Sequence, residues 1–415
     1  MRWISRFGAV ALLSMLALLQ WSAQAAEPIK IGFSMALTGG LAPNGKSALV
    51  AMQLWEKDVN AKGGILGRPV QLVYYDDQSQ PSTVPAIYTK LLDVDKVDFV
   101  VGPYATAQIA PAMPIVMQRN LVFITLLGLS VNDAFHYPRY FQIAPNGSGT
   151  KAFTKGFFDL AAAQNPKPQT LAIAYADQQY AHASADGALA NGQAAGFKVV
   201  YDKSYPPTTA DFSPIIRAVA ATNPDLFVIA SYPPDSVGMV HALREQNFTP
   251  KMVGAGMVGL QATALKTQLG PLLNGIVNYD FWLPGPKMQF DGVMDVLHRY
   301  QGEASKQGVD PLGYYMVPWA YAYLQVLQQS IEATKGLDQD KIAKYMHEAT
   351  FKTVAGDVKF GEDGEWATPR MLQVQYQHVT SNDVEQFRDP KNDVILEPSQ
   401  YADGKLIYPY ADALK

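Results

Sequence analysis

Short apolar runs alternate with amphipathic stretches along almost the whole chain, and few folds accept that pattern. Ile29–Met35, Val70–Tyr75, Phe99–Val101 and Leu121–Thr125 read as strands. Between them, residues 47–61 place Ala48, Met52, Trp55 and Val59 on one helical face, and Val84–Leu92 reads as a second helix. Gly63-Gly64 closes the first helix, because left-handed positions after a helix favour glycine. Strands alternating with helices imply a mainly parallel sheet covered on both faces.

A second series of the same kind follows Phe141–Gly147. Strands are expected at Thr170–Tyr175, Lys198–Tyr201, Leu226–Ala230, Met252–Gly254 and Ile276–Tyr279. Residues 288–348 read as mostly helical, with helices at Met288–Lys306 and Tyr314–Thr334 and a third beginning near Asp338. A short strand-rich tail includes Met371–Gln377. Two similar α/β halves suggest two lobes around a cleft. In such sheets ligands meet the carboxyl ends of the strands. That rule selects Asp76-Asp77, Tyr104–Thr106, Leu126-Leu127, Asp177–Tyr180, Ser231-Tyr232 and Met257.

The first residues read as an export signal. Arg2 and Arg6 precede the apolar run Phe7–Leu19, and Ala23-Gln24-Ala25 supplies small residues before a cut. The run is shorter than the ~20 residues that span a bilayer. No cysteine follows it, so the expected product is a free periplasmic protein without a lipid anchor. Removing residues 1–25 takes the net charge from −4 to −6, which argues against a nucleic-acid partner.

Gly40–Ser47 matches G-x4-G-K-[ST] between a strand and a helix, the context of a phosphate-binding loop. An NTPase using Lys46 and Ser47 is therefore one reading; a Gly-rich turn that merely starts a helix is the other. An exported protein meets almost no ATP, and nothing downstream supplies a water-orienting residue or an arginine finger. The six histidines show no metal-binding spacing, no G-x-S-x-G elbow is present, and the chain has no cysteine nucleophile. No enzyme activity, metal or cofactor is expected.

Taken together, IKIGFSMALTGGLAPNGKSALVAMQLWEKDVNAKGGILGRPVQLVYYDD (29–77), VVGPYATAQIAPAMPIVMQRNLVFIT (100–125), ADQQY (176–180), DFSPIIRAVAATNPDLFVIASYPPD (211–235) and GDVKFGEDGEW (356–366) carry a resemblance. The chain resembles the exported solute-binding proteins of ABC transporters, in the branched-chain amino acid (Leu/Ile/Val-binding) family of type I periplasmic binding proteins. The resemblance implies a two-lobed α/β fold, each lobe a mostly parallel sheet flanked by helices. Three crossovers would fall near residues 145, 280 and 353. Residues 27–145 plus 280–352 would form the N-terminal lobe, and 146–279 plus 353–415 the C-terminal lobe. The implied function is capture of a small molecule for an inner-membrane permease by a monomer, with a ligand sensor for a membrane receptor as the alternative role.

In that family a ligand carboxylate is held by a hydroxyl and backbone N–H groups after the third strand, where this chain has Tyr104, Ala105 and Thr106. Pro111 suggests a helix starting near Ala110, with Thr106 acting from a loop. Asn44, in the Gly-rich turn, and Leu126, Leu127, Tyr180, Tyr232 and Met257 complete the implied ligand-binding set. The family's second hydroxyl aligns with Leu129, with Ser130 one residue on. The acid that pairs a ligand ammonium aligns with Gly256. Either Asp77, Asp235 or Asp280 substitutes for it, or the ligand lacks an α-amino group. The apolar, phenol-rich set suits a hydrophobic or aromatic carboxylic acid; the alternative is a branched-chain or other hydrophobic amino acid.

Overall fold

The computed structural model describes residues 26–415, so the expected signal peptide lies outside the described residues. The chain begins β1 (Ile29–Met35), α1 (Ala42–Ala61), β2 (Val70–Asp76), α2 (Val84–Asp93), β3 (Phe99–Val100), α3 (Thr106–Gln118), β4 (Phe123–Thr125) and β5 (Tyr140–Gln142). β2, β1 and β3 form a parallel sheet in that order, and β4 pairs with β5 in parallel beside it. The Gly102 N–H, just past β3, donates to Ile124 in β4 at 2.7 Å.

The second series is α4 (Lys151–Ala162), β6 (Thr170–Ala176), α5 (Gln179–Ala194), β7 (Lys198–Tyr205), α6 (Ser213–Ala220), β8 (Leu226–Ser231), α7 (Pro233–Glu245), β9 (Met252–Met257), α8 (Thr263–Leu269) and β10 (Val277–Asp280). It ends with α9 (Val293–Gln307), α10 (Val317–Thr334), α11 (Gln339–Glu348), β11 (Phe351–Thr353), β12 (Gly356–Val358), β13 (Leu372–Tyr376) and β14 (Asp393–Glu397). The large sheet runs β14-β13-β10-β9-β8-β6-β7, parallel except where β13 and β14 join it antiparallel. Its central strands are continuous apolar runs, as burial on both faces requires.

After β10 the chain returns to the first sheet's helices. Arg299 in α9 makes a two-pronged ion pair with Asp58 in α1 at 2.7 and 2.8 Å, and Tyr321 in α10 donates to the same carboxylate at 2.7 Å. Trp55 in α1 donates to Gln328 in α10 at 3.1 Å. Residues 143–145 and 366–370 run side by side, where the Arg370 N–H donates to Pro145 at 2.8 Å and the Trp366 indole to Ile143 at 2.9 Å.

Two expectations change. α1 starts at Ala42, not residue 47, and takes in Pro43 near its first turn, where proline's missing N–H costs nothing. Most of the phosphate-loop look-alike is therefore helix, with the Asn44 and Gly45 N–H groups spent on Leu41. The Ser47 hydroxyl donates to Pro43 at 2.8 Å, and a Cβ on Gly45 would lie 2.0 Å from the Ala36 carbonyl oxygen. Gly45 serves close strand–helix packing, not a phosphate. Secondly, α3 starts at Thr106 and carries both Pro111 and Pro114 inside it. The carbonyls to which these prolines have no N–H to donate belong to Ala107 and Ala110, both of them half-buried residues.

Candidate functional site

The carboxyl ends of the strands converge on one crevice, lined by residues 104–106, 127–129 and 279–281 among others. It is contracted. About 30 Å³ is open to a water-sized molecule, within about 420 Å³ of atom-free space. A ring-sized solute enters only if the walls part.

One wall is the turn after β3. Gly102 is pressed against Thr125, where a Cβ would sit 2.6 Å from the threonine side chain. The turn then passes through Ala105 at φ +82°, a conformation that L side chains rarely adopt. Strain of this kind persists only where its surroundings enforce it, and it clusters at ligand clamps. It sets Thr106 as the first residue of α3 at this end of the crevice, where the Gln108 and Ile109 N–H groups are spent on the Ala105 carbonyl at 3.0 Å and those of Thr106 and Ala107 are left to the helix start. The Thr106 hydroxyl accepts the Leu129 N–H at 3.0 Å and keeps its own proton to donate. Leu127, at φ +52°, completes the wall.

The remaining walls are aromatic. Tyr180, in the first turn of α5, donates to the Gly256 carbonyl at 3.1 Å. Its ring meets Phe153 at 5.7 Å and Tyr232 at 5.9 Å, both edge-on. The hydroxyls of Tyr279 and Tyr315 lie 3.2 Å apart, and Phe281 stacks on Tyr315 at 5.5 Å. The Tyr232 hydroxyl is buried without a partner. Burial pushes the phenols of Tyr104, Tyr180, Tyr232, Tyr279 and Tyr315 up, so all are neutral hydroxyls at physiological pH.

Six of the nine sequence-selected residues line this crevice: Tyr104, Ala105, Thr106, Leu127, Tyr180 and Tyr232. Three stand behind it. Asn44 donates to the Tyr104 hydroxyl at 2.9 Å and so aims that ring. Leu126 is fully buried, pairing with Tyr104 through a parallel bridge. Met257 is fully buried, its backbone clamped by Asn278 at 2.9 and 2.8 Å; the next residue, Val258, faces the crevice instead. Sequence reasoning missed Phe153, Tyr279, Phe281 and Tyr315. Tyr279 and Phe281 flank the end of β10, so the strand-end rule reaches them, whereas Phe153 on α4 and Tyr315 before α10 carry no such signal.

Among the described residues, no charged side chain lines the crevice. A Cβ on Gly256 would lie 2.6 Å from the Ser184 hydroxyl, so no acid fits there. The three candidate substitutes are engaged elsewhere. Asp77 accepts from Ser34, Ser79 and Gln108 at 3.0–3.3 Å, and burial pushes its carboxyl up to about 6. Asp235 accepts from Tyr205 at 3.3 Å. Asp280 accepts the Phe281 N–H at 2.7 Å; burial pushes it up to about 7, with the nearby Lys266 ammonium pulling the other way.

A family model described as periplasmic binding protein matches residues 28–382. The Leu/Ile/Val-binding protein of Escherichia coli (strain K12) is 27% identical over 348 residues, covering 82% of this chain and 88% of the relative. Among solved structures, the fold is similar to a solute-binding protein of an ABC transporter from R. palustris in complex with 4-hydroxybenzoate. That protein has 18% identity and a TM-score of 0.71, covering 85% of this chain and 94% of the other. It is also similar to the branched-chain amino acid transporter substrate-binding protein from Streptococcus pneumoniae in complex with isoleucine. Here the identity is 17% and the TM-score 0.72, with 92% and 100% covered.

Proposed function

Because the chain belongs to the periplasmic binding protein family, and is thus a substrate-binding protein of an ABC transporter, we propose that its ligand is a hydrophobic or aromatic carboxylic acid. The observation that carries this reading is the crevice itself: phenol and phenyl walls, a helix start whose Thr106 hydroxyl still has its proton to give, and, among the described lining residues, no acid to receive an ammonium. A buried, unpaired ammonium would cost several kcal/mol. A carboxylate, by contrast, finds the Thr106 hydroxyl and the N–H groups of α3.

The lobes in this reading are residues 27–145 with 280–352 and 146–279 with 353–415, joined near 145, 280 and 353. The open lobes admit the solute, closure strips its water, and differential affinity for the closed form shifts the equilibrium. The monomer, exported by residues 1–25 and free of a lipid anchor, then delivers its cargo to an inner-membrane permease. The mechanism is capture, with Tyr104, Ala105, Thr106, Leu127, Tyr180 and Tyr232 as ligand contacts and Asn44, Leu126 and Met257 as their supports.

Calorimetry with phenylalanine against 3-phenylpropionate, and with benzoate and 4-hydroxybenzoate, tests the reading. The acids without an amino group are expected to bind more tightly. An amino acid binding ten times tighter than its deaminated counterpart overturns it in favour of a hydrophobic amino-acid binder, the class that the E. coli relative's name describes.

A further inference from the structure

Away from the crevice, a groove of about 680 Å³ runs between α10, the β11–β12 hairpin and the segment entering β13. At its base lies Arg370, only 7% exposed. The guanidinium sits 4.6 Å from the ring of Phe290, 4.9 Å from Trp366 and 5.7 Å from Trp319. Its Nη2 donates to the Ala355 carbonyl, and its Nε is buried with no acceptor. Gly356, at φ +87°, keeps the hairpin off it, since a Cβ there would lie 2.8 Å from Nη1.

No carboxylate lies within ion-pair distance of Arg370 among the described residues. Aromatic faces offset only part of the cost of a buried cation without a counter-charge. The acids of the groove, Asp291 and Asp357, are exposed at its rim, and Asp357 is taken by Lys352 at 2.5 Å. Lys352, Lys359, Thr368, Gln325 and Gln400 add donors to the walls.

We propose that this groove binds a small oxyanion, with Arg370 as its buried cation. A carboxylate, a phosphate and a sulfate each carry two oxygens on one atom, the pair that a guanidinium recognises through its N–H groups. The site adjoins the place where residues 143–145 and 366–370 run together, and it is independent of what the crevice holds.

Calorimetry of the full mature chain at constant ionic strength, with inorganic phosphate in one arm and acetate in the other, tests the site. One-to-one binding is expected in at least one arm, and the tighter arm assigns the group. Arg370→Gln should weaken it tenfold or more. Thr368→Glu should do the same from an exposed position while leaving Arg370 in place, so it decides the matter if the first variant does not fold. Thr106→Ala, which weakens carboxylate binding in the crevice, should leave it unchanged. Absence of saturation in both arms, binding that survives both groove substitutions, or binding lost in Thr106→Ala overturns the proposal.

Discussion

The hydroxyl of Tyr180 donates to the carbonyl oxygen of Gly256 at 3.1 Å, and Ser184, one turn further along the same helix, closes the space above that glycine. The pair fixes the crevice floor as backbone rather than carboxylate. Gly256→Ala is expected to destabilise the protein by about 1–3 kcal/mol, the usual cost of overpacking. The Ser184 hydroxyl has no partner, so Ser184→Ala should be nearly neutral alone and should recover much of the loss in the double variant. Urea denaturation of the four proteins reads the cycle; additive effects would mean that the two side chains do not collide.

Thr106 has two duties, accepting the Leu129 N–H and offering a proton to the crevice. Thr106→Ala should weaken carboxylate binding by about 1–3 kcal/mol, the range of a charge-assisted hydrogen bond. Thr106→Ser should keep most of the affinity. An unchanged dissociation constant in Thr106→Ala removes the hydroxyl from the site.

The unpartnered hydroxyl of Tyr232 separates substituted from unsubstituted rings. Tyr232→Phe should leave benzoate affinity within experimental error and weaken 4-hydroxybenzoate by roughly 1 kcal/mol, the net worth of one hydrogen bond. Equal losses for both ligands would assign this ring to packing alone.

Glu365 is buried with both carboxylate oxygens unpartnered, and burial pushes its carboxyl well above the usual range. Its folded value exceeds its unfolded value, so between the two the native state binds more protons and stability falls as pH rises. The contribution is complete below the unfolded value and is lost through the folded one. Glu365→Gln should therefore raise the melting temperature most near neutral pH, with the gain shrinking towards pH 4. A gain independent of pH would mean that the carboxyl titrates normally.

Much of this was legible in the letters. The strand at 29–35 matches β1 residue for residue, because apolar runs between turn signals admit little else. Thr106, Tyr180 and Tyr232 were found because they follow strands in a parallel sheet, where loops of one hand gather at one edge. α3 was misread at its start, because the positive-φ turn at Ala105 that begins it is not written locally and the helix carries two prolines that a local rule would place at its first turn. Tyr315 and Phe153 were missed for a related reason: tertiary packing carries them to the crevice from a loop before a helix and from a helix face. Leu126 and Met257 illustrate the converse, since each is next in sequence to a lining residue, Leu127 and Val258, yet is itself fully buried.

On the proposed function, a receptacle walled by neutral phenols, with no charged side chain among the described residues that line it, has no salt bridge to break at handover. On the proposed two-lobed reading, release would follow the parting of the lobes rather than the severing of a charge pair. The carrier should surrender its solute at nearly the same rate in dilute and in concentrated brine.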